Sequence, residues 1–176
     1  MLEPNYDNLT PDIVIQAIES LGLISDARVF ALNSYENRVY QVGIDEQTPI
    51  IAKFYRPLRW SDEQIIEEHR FAQLLADIDL PVVPPAKDDN GNTLHLFAGY
   101  RFSIFPRQGG QAPEPDDFDQ IYRLGRLIGR IHKAGSAKPF LHRPSISVES
   151  YAMEPATLLL ERGFIPSHQT KEFERI

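Results

Sequence analysis

The sequence contains no cysteine, so disulfides, thiolate-bound zinc, iron–sulfur clusters and thiol nucleophiles are all excluded. That absence fits a reducing compartment. No run of about 18 apolar residues occurs, so no segment is expected to cross a membrane as a helix. The first residues, Met1 to Asp7, carry neither a basic cluster nor an apolar stretch and do not read as a signal peptide. The expected address is the cytoplasm. Positive charge is also in short supply. Lys plus Arg number 18 against 25 Asp plus Glu, which gives a formal net charge of −7 and a pI near 5.2. Nucleic acids and anionic membranes are polyanions, so neither is an expected partner. The ten glycines include no G-x-G-x-x-G and no G-x-x-x-x-G-K-[ST], so the common glycine-rich phosphate loops are missing.

What is present is ordinary for a globular chain: 42% hydrophobic and 24% charged residues over 176 positions, enough for one domain or a domain plus part of another. Thr10-Pro11-Asp12 starts a helix, with Thr10 as the cap, and Gly22 stops it. Val29–Leu32, Arg38–Val42 and Pro49–Tyr55 read as three strands of an antiparallel meander, with a polar turn at 33–37 and a loop at 43–49. Ser61-Asp62-Glu63-Gln64 is a capping box opening a helix that runs to about Asp77. Pro81, Pro84 and Pro85 then break the chain. Thr93–Phe97 and Tyr100–Phe105 read as two more strands, the first preceded by the turn residues Asp89-Asn90-Gly91-Asn92. Residues 108–115 form a linker, and 116–134 a second clear helix. Short helices are expected at 149–153 and 156–162, and Lys171–Ile176 reads as a helix just beginning. The chain is therefore expected to stop inside a longer protein. The fold class is α+β: a five-stranded antiparallel sheet with a long helix, followed by the first helices of a second, helical lobe.

Two residues stand out against this pattern. At about 100° per residue, Ile65, Phe71, Ala72, Leu75 and Ile78 share one face of the 62–77 helix, with Glu68 near its middle and Glu67 near its edge. A carboxylate in an apolar stripe needs a partner. Lys53 sits between Ile50-Ile51-Ala52 and Phe54-Tyr55 and needs one too. A strand lysine paired to a helix glutamate is the device that aims a lysine at nucleotide phosphates in kinases. The plainer reading stays open beside it: a strand lysine that discourages edge pairing, and a glutamate that reaches solvent. Asn33, Ser34 and Asn37 give the first turn small polar groups able to meet phosphate oxygens, although most such turns are only turns. Gly125 and Gly129 are spaced for close helix packing, and Arg126 and Arg130 read as a solvated stripe. Histidines 69, 95, 132, 142 and 168 show no metal-ligand spacing and mostly read as surface or cap residues. Asp77, Asp79, Asp88 and Asp89 read as loop and helix-end residues rather than metal ligands.

Longer motifs carry a resemblance. Asn33-Ser34-Tyr35-Glu36-Asn37-Arg38-Val39-Tyr40-Gln41, Lys53-Phe54-Tyr55-Arg56-Pro57 with Trp60, and Gln64-Ile65-Ile66-Glu67-Glu68-His69 with Phe71-Ala72 resemble the N-terminal half of the bacterial stress response kinase A family. Phe105-Pro106 with Gly109-Gly110, Leu124-Gly125-Arg126, Gly129-Arg130-x-His132, His142-Arg143-Pro144, Glu154-Pro155 and Ile165-Pro166 extend it over nearly the whole chain. These are Ser/Thr protein kinases with the aminoglycoside-phosphotransferase-like, protein-kinase-like fold.

The resemblance implies a nucleotide-binding N-lobe over residues 1–107, then a hinge, linker and incomplete helical C-lobe over 108–176. It implies ATP and Mg2+ as cofactors, with the metal ligands in a further C-terminal part. Lys53 would orient the phosphates, with Glu68 as its partner. Ser34, Tyr35, Glu36 and Asn37 would form the loop over the phosphates. Ile51 or Ala52 would lie above the adenine ring, and the backbone of Phe105 and Arg107 would bond its edge. The implied acceptor is a Ser or Thr hydroxyl of a protein in a stress response. The alternatives are a small-molecule acceptor, such as an aminoglycoside, choline or homoserine, and a non-catalytic nucleotide- or partner-binding module. One departure is large. Kinases of this fold carry a loop reading H-x-D-x-x-x-x-N, and none of the five histidines here has Asp two residues later. The chain by itself is therefore expected to be inactive. An incomplete second lobe would also leave apolar surface open to association.

Overall fold

The computed structural model describes residues 5–175. These divide into two compact units, one ending at His142 and one starting at Arg143. The first holds helix α1 (Pro11–Glu19), strands β1 (Ser25–Leu32), β2 (Arg38–Ile44) and β3 (Ile50–Phe54), helix α2 (Asp62–Asp77), strands β4 (His95–Phe97) and β5 (Tyr100–Pro106), and helix α3 (Phe118–Gly135). The second holds a π-helical turn (Glu149–Met153) running into α4 (Glu154–Glu161), then α5 (Thr170–Phe173). The strands form one sheet in the order β1-β2-β3-β5-β4, with every neighbouring pair antiparallel. The expected five-stranded α+β architecture is the one observed.

Side chains alternate across a strand, and this sheet uses its two faces differently. Val42, Ile44, Ala52, Phe54, Tyr100 and Phe102 join Val14, Ala17 and Ile18 of α1 in the buried core. Phe54 and Phe102 stack at its centre with ring centroids 5.2 Å apart. The alternate residues, Ile51, Lys53 and Tyr55, belong to the other face, where Tyr55 meets His69 of α2. Ala52 is thereby committed to the core, and Ile51 is the one of the two candidates that reaches the α2 side.

The first hairpin is longer than its sequence pattern suggests. β1 starts at Ser25 because a bulge, marked by a register shift and a left-handed Ala27 (φ 65°), restores pairing after the break. In that bulge the Asp26 carboxylate grips the Arg28 guanidinium and presses against Gly43. Any Cβ at Gly43 would collide with it. Gly43 and Ile44 are therefore strand, not the loop that a glycine suggests. The β4–β5 hairpin closes on Ala98 (φ 47°) and Gly99 (φ 82°), both left-handed as a two-residue turn requires.

The capping box of α2 forms as read. The Ser61 hydroxyl accepts from the Gln64 amide at 3.3 Å, and the Gln64 side chain accepts from the Ser61 amide at 2.9 Å. Ser61→Ala is expected to cost about 1 kcal/mol, read as a lower urea midpoint with an unchanged slope.

α3 begins two residues later than expected, with Asp117 as its cap, and Gly135 is its last residue rather than its stop. Close packing at Gly125 and Gly129 is not found: a Cβ on either would meet nothing within 4 Å. It is Gly135 that lies against another helix: a Cβ there would sit 3.5 Å from the Phe71 ring, in ordinary van der Waals contact. No residue of α3 is buried, and Phe118, Ile121, Tyr122 and Ile128 are exposed.

Candidate functional site

Lys53 lies near the end of β3, the central strand of the sheet, opposite Val39 of β2 and Ser103 of β5. Central placement in the sheet fixes its backbone, and the strand pleat aims it toward α2. Its Nζ is 3.1 Å from Oε1 of Glu68 and 4.7 Å from the centroid of the Tyr55 ring. The pair is partly open, with the lysine side chain 22% and the glutamate 38% exposed. An ion pair this exposed adds little stability, so its geometry matters more than its energy.

The pair stands at a cavity of about 290 Å³. Val39, Ile51 and Phe105 line it from the sheet, Ala72 from α2, and Val83 and Pro85 from the segment that follows. The lining therefore joins an apolar slot to one ammonium. That combination suits a ligand with a flat apolar ring and an anionic end. Among the described residues, Glu68 is the only carboxylate on the cavity. Among the described residues, no group of three or more His, Asp or Glu could hold a metal ion.

His69 closes the floor of this site. It is 4% exposed, so it is neither the surface nor the cap residue that its sequence context suggests. One ring nitrogen is 2.7 Å from the Tyr55 hydroxyl, and the other is 2.8 Å from the Thr93 hydroxyl. Ser103 Oγ adds a longer contact at 3.5 Å. Burial, helped by the Lys53 charge and opposed by Glu68, pushes the imidazole down to about 4. The ring is thus neutral at pH 7 and bridges α2 to Tyr55, just past β3, and to the loop before β4. His95 is also largely buried, and its pKa is lowered mainly by burial.

A pH dependence follows. Between the ordinary histidine value near 6.5 and about 4, the unfolded chain binds a proton that the folded chain excludes at His69. Stability is full above pH 6.5 and falls as pH drops through that window, by up to about 1.4 kcal/mol per unit. His95 acts in the same direction. Urea midpoints measured from pH 7 to 4.5 should fall for the native chain and fall less steeply for His69→Gln.

The remaining sequence-derived candidates sit elsewhere. Glu36 accepts from the Trp60 indole at 2.8 Å and lies 3.5 Å from Arg59. Asn37 accepts from the Arg56 amide at 3.3 Å, and the Glu36 carbonyl accepts from the Tyr6 hydroxyl at 3.2 Å. These groups brace the turn against the chain between β3 and α2 and against Tyr6, ahead of α1. Ser34 is exposed and Tyr35 fully so. Arg107, just past β5, is exposed and donates to the Gln41 side chain at 2.9 Å. Ile51, Lys53, Glu68 and Phe105 are thus brought together at one cavity, whereas Ser34, Tyr35, Glu36, Asn37 and Arg107 do not line it. The sequence reading missed Val39, Tyr55 and His69. The spacing Ile65, His69, Ala72 would have placed the histidine on the buried stripe.

An antiparallel five-stranded sheet with a helix-borne glutamate reaching a strand lysine defines a protein-kinase-like N-lobe. Comparison with known proteins agrees. The phosphotransferase enzyme family (APH) matches residues 28–166, and the chain belongs to that family. It is 41% identical to stress response kinase A of Shigella flexneri over 162 residues, covering 92% of this chain and 49% of that protein. It is 40% identical to the serine/threonine protein kinase RdoA of Salmonella typhimurium over 168 residues, covering 96% of this chain and 51% of that one. The chain thus spans about half the length of the curated relatives it matches. Among solved structures, a microcompartment-associated aminopropanol kinase aligns with TM-score 0.64 and 20% identity, covering 87% of this chain and 55% of the other. The amicoumacin kinase hAmiN, in complex with AMP-PNP, Ca2+ and Ami, aligns with TM-score 0.61 and 18% identity, covering 92% and 53%.

Proposed function

We propose that this chain is the nucleotide-binding part of an ATP- and Mg2+-dependent kinase. The observation that carries the proposal is the Lys53–Glu68 pair, 3.1 Å apart at the mouth of an apolar slot. In this reading Glu68 holds the Lys53 ammonium toward the α- and β-phosphates, and neither group is consumed. Positioning and charge compensation are the larger part of phosphoryl-transfer catalysis, so a held lysine is a working part in itself. Ile51 and Phe105 enclose the adenine ring, and the backbone of Phe105 and Arg107 bonds its edge. The turn at Ser34, Tyr35, Glu36 and Asn37 covers the phosphates through its backbone, while Glu36 and Asn37 anchor it. Residues 1–107 then form the nucleotide lobe, and 108–176 the hinge, linker and first helices of the second lobe.

Bound ATP supplies the phosphoryl group and Mg2+ neutralises its oxygens. The residues of this cavity fit the nucleotide but offer a metal one carboxylate at most, and that one is engaged by Lys53. The metal ligands and the base therefore lie outside this set, and the chain alone transfers no phosphate. The acceptor is a protein Ser or Thr hydroxyl, as the names of the curated relatives suggest. A small-molecule acceptor is the second reading, favoured by the solved neighbours, which are named as aminopropanol and amicoumacin kinases. No helix among the described residues is long and apolar enough to cross a membrane, and a cytoplasmic site of action is part of the proposal.

Phosphoryl transfer from γ-labelled ATP tests the reading. A full-length protein carrying this sequence should label protein acceptors, and its Lys53→Ala form should not. Label confined to small molecules selects the second reading. Lys53-dependent turnover by the 176-residue chain alone would overturn the claim that it is inactive.

A further inference from the structure

His69 and Pro85 line two cavities: the one at Lys53, and a second of about 490 Å³ whose lining includes neither Lys53 nor Glu68. The second lies between α2 and the segment 85–94, and its volume is that of a small-molecule site. Ile66 and Leu74 of α2 and Pro85 and Leu94 of the facing segment give it apolar walls. Thr93, whose hydroxyl is 2.8 Å from a ring nitrogen of His69, ties the two walls together. Two cations reach this cavity from opposite sides, Arg70 from α2 and Lys87 from the facing segment. The chain carries a net charge of −7, yet among the described residues neither cation has an ion pair or a side-chain hydrogen bond.

The acidic groups nearby do not neutralise them. Asp88 follows Lys87 directly, but its carboxylate accepts from the Asn90 and Asn92 amides at 2.9 and 2.7 Å, lies 3.9 Å from His95, and is not on the lining. Among the described residues, Asp77 is the only carboxylate on the lining, where it accepts from the Gln73 side chain at 2.8 Å. Arg70 and Asp77 share one stripe of α2 and stand about 10 Å apart along its axis, so the helix wall has a cationic end and a carboxylate end. A guanidinium fork and an ammonium on facing walls suit an anion with several oxygens. A carboxylate repels such an anion but accepts from hydroxyls, and apolar walls pack against C–H groups. We propose that this cavity binds a small phosphorylated polyol, its phosphate between Arg70 and Lys87 and its hydroxyls donating to Asp77. Inorganic phosphate would leave most of the volume empty, and a neutral polyol would leave both cations unmatched. The site is separate from the nucleotide cavity and does not depend on the function proposed above.

The test titrates the 176-residue chain, followed by the amide resonances of Gln73, Asn92 and Thr93, with a panel of hexose and pentose monophosphates. Glucose and inorganic phosphate serve as the two partial ligands. At least one sugar phosphate should shift those amides saturably and bind at least about tenfold more tightly than either partial ligand. Arg70→Ala and Lys87→Ala should each weaken it by about tenfold, the loss of one charge-assisted bond. Asp77→Ala should weaken the sugar phosphate and leave inorganic phosphate bound no more weakly than before. All three side chains are exposed, so each variant should keep the native circular dichroism spectrum. Lys53→Ala should bind the sugar phosphate as the native chain does. Three results overturn the inference. In the first, no member of the panel shifts those amides saturably. In the second, inorganic phosphate binds as tightly as every sugar phosphate, so that only an anion is recognised. In the third, binding is lost in Lys53→Ala and kept in Arg70→Ala, which seats the phosphate in the other cavity.

Discussion

Lys53→Ala should weaken Mg·ATP binding to this chain by about 30- to 1000-fold, equivalent to about 2–4 kcal/mol. Two effects add. The ammonium that meets the phosphates is lost, and the Glu68 carboxylate, 3.1 Å from it in the native chain, is left beside the nucleotide with no cation between them. Repulsion between that carboxylate and the phosphates makes the loss larger than removal of one contact. Glu68→Gln should cost less, because it releases the lysine without leaving an opposing charge. The order of affinities should therefore be native, then Glu68→Gln, then Lys53→Ala. The fold should be unaffected, since an ion pair this exposed contributes at most about 1 kcal/mol to stability. Calorimetric titration with Mg·ATP, with circular dichroism as the fold control, checks all three. Equal binding by the native chain and Lys53→Ala would remove the lysine from the site.

The largest stability effect is expected at the centre of the sheet. Phe54 and Phe102 are both 0% exposed and stack across β3 and β5. Replacing either by Ala deletes a ring from a close-packed core and leaves a cavity, at a cost of about 3–5 kcal/mol. Whole domains are stable by only about 5–15 kcal/mol, so either substitution should bring unfolding within reach of mild urea or warming. The consequence reaches the site. Lys53 immediately precedes Phe54 on β3 and pairs with Ser103 next to Phe102, so the ring stack on one face sets the strand that presents the lysine on the other. Phe118→Ala is the control. That ring is 85% exposed at the start of α3, and its loss should change stability by less than about 0.5 kcal/mol. Urea denaturation of the three variants should separate them cleanly.

Much of this was legible in the residues. The caps at Thr10 and Ser61, the strand alternation and the proline breaks give the element order directly, because each is a local preference that the fold obeys. The lysine in an apolar strand and the glutamate in an apolar helix stripe pointed to each other because each is costly alone. What could not be read depended on partners distant in sequence. Gly43 reads as a loop residue until Asp26 of the bulge is seen to need its missing side chain. His69 reads as surface until Tyr55, Thr93 and Ser103 supply its polar contacts. Glu67 reads only as a residue at the edge of the apolar face until the Leu141 and His142 amides, more than seventy residues on, are found on its carboxylate. Gly125 and Gly129 show the opposite error, a packing motif by spacing that meets no neighbour.

The central claim is that phosphates sit at Lys53, and an acyl-phosphate derivative of ATP tests it most directly. Such a reagent transfers its acyl group to a lysine amine held beside the nucleotide phosphates. Digestion and mass spectrometry then report which of Lys53, Lys87, Lys133, Lys138 and Lys171 is labelled. The account predicts label on Lys53, suppressed by excess Mg·ATP. Label spread over the other lysines with Lys53 untouched, or label on Lys53 that excess Mg·ATP does not reduce, would contradict it.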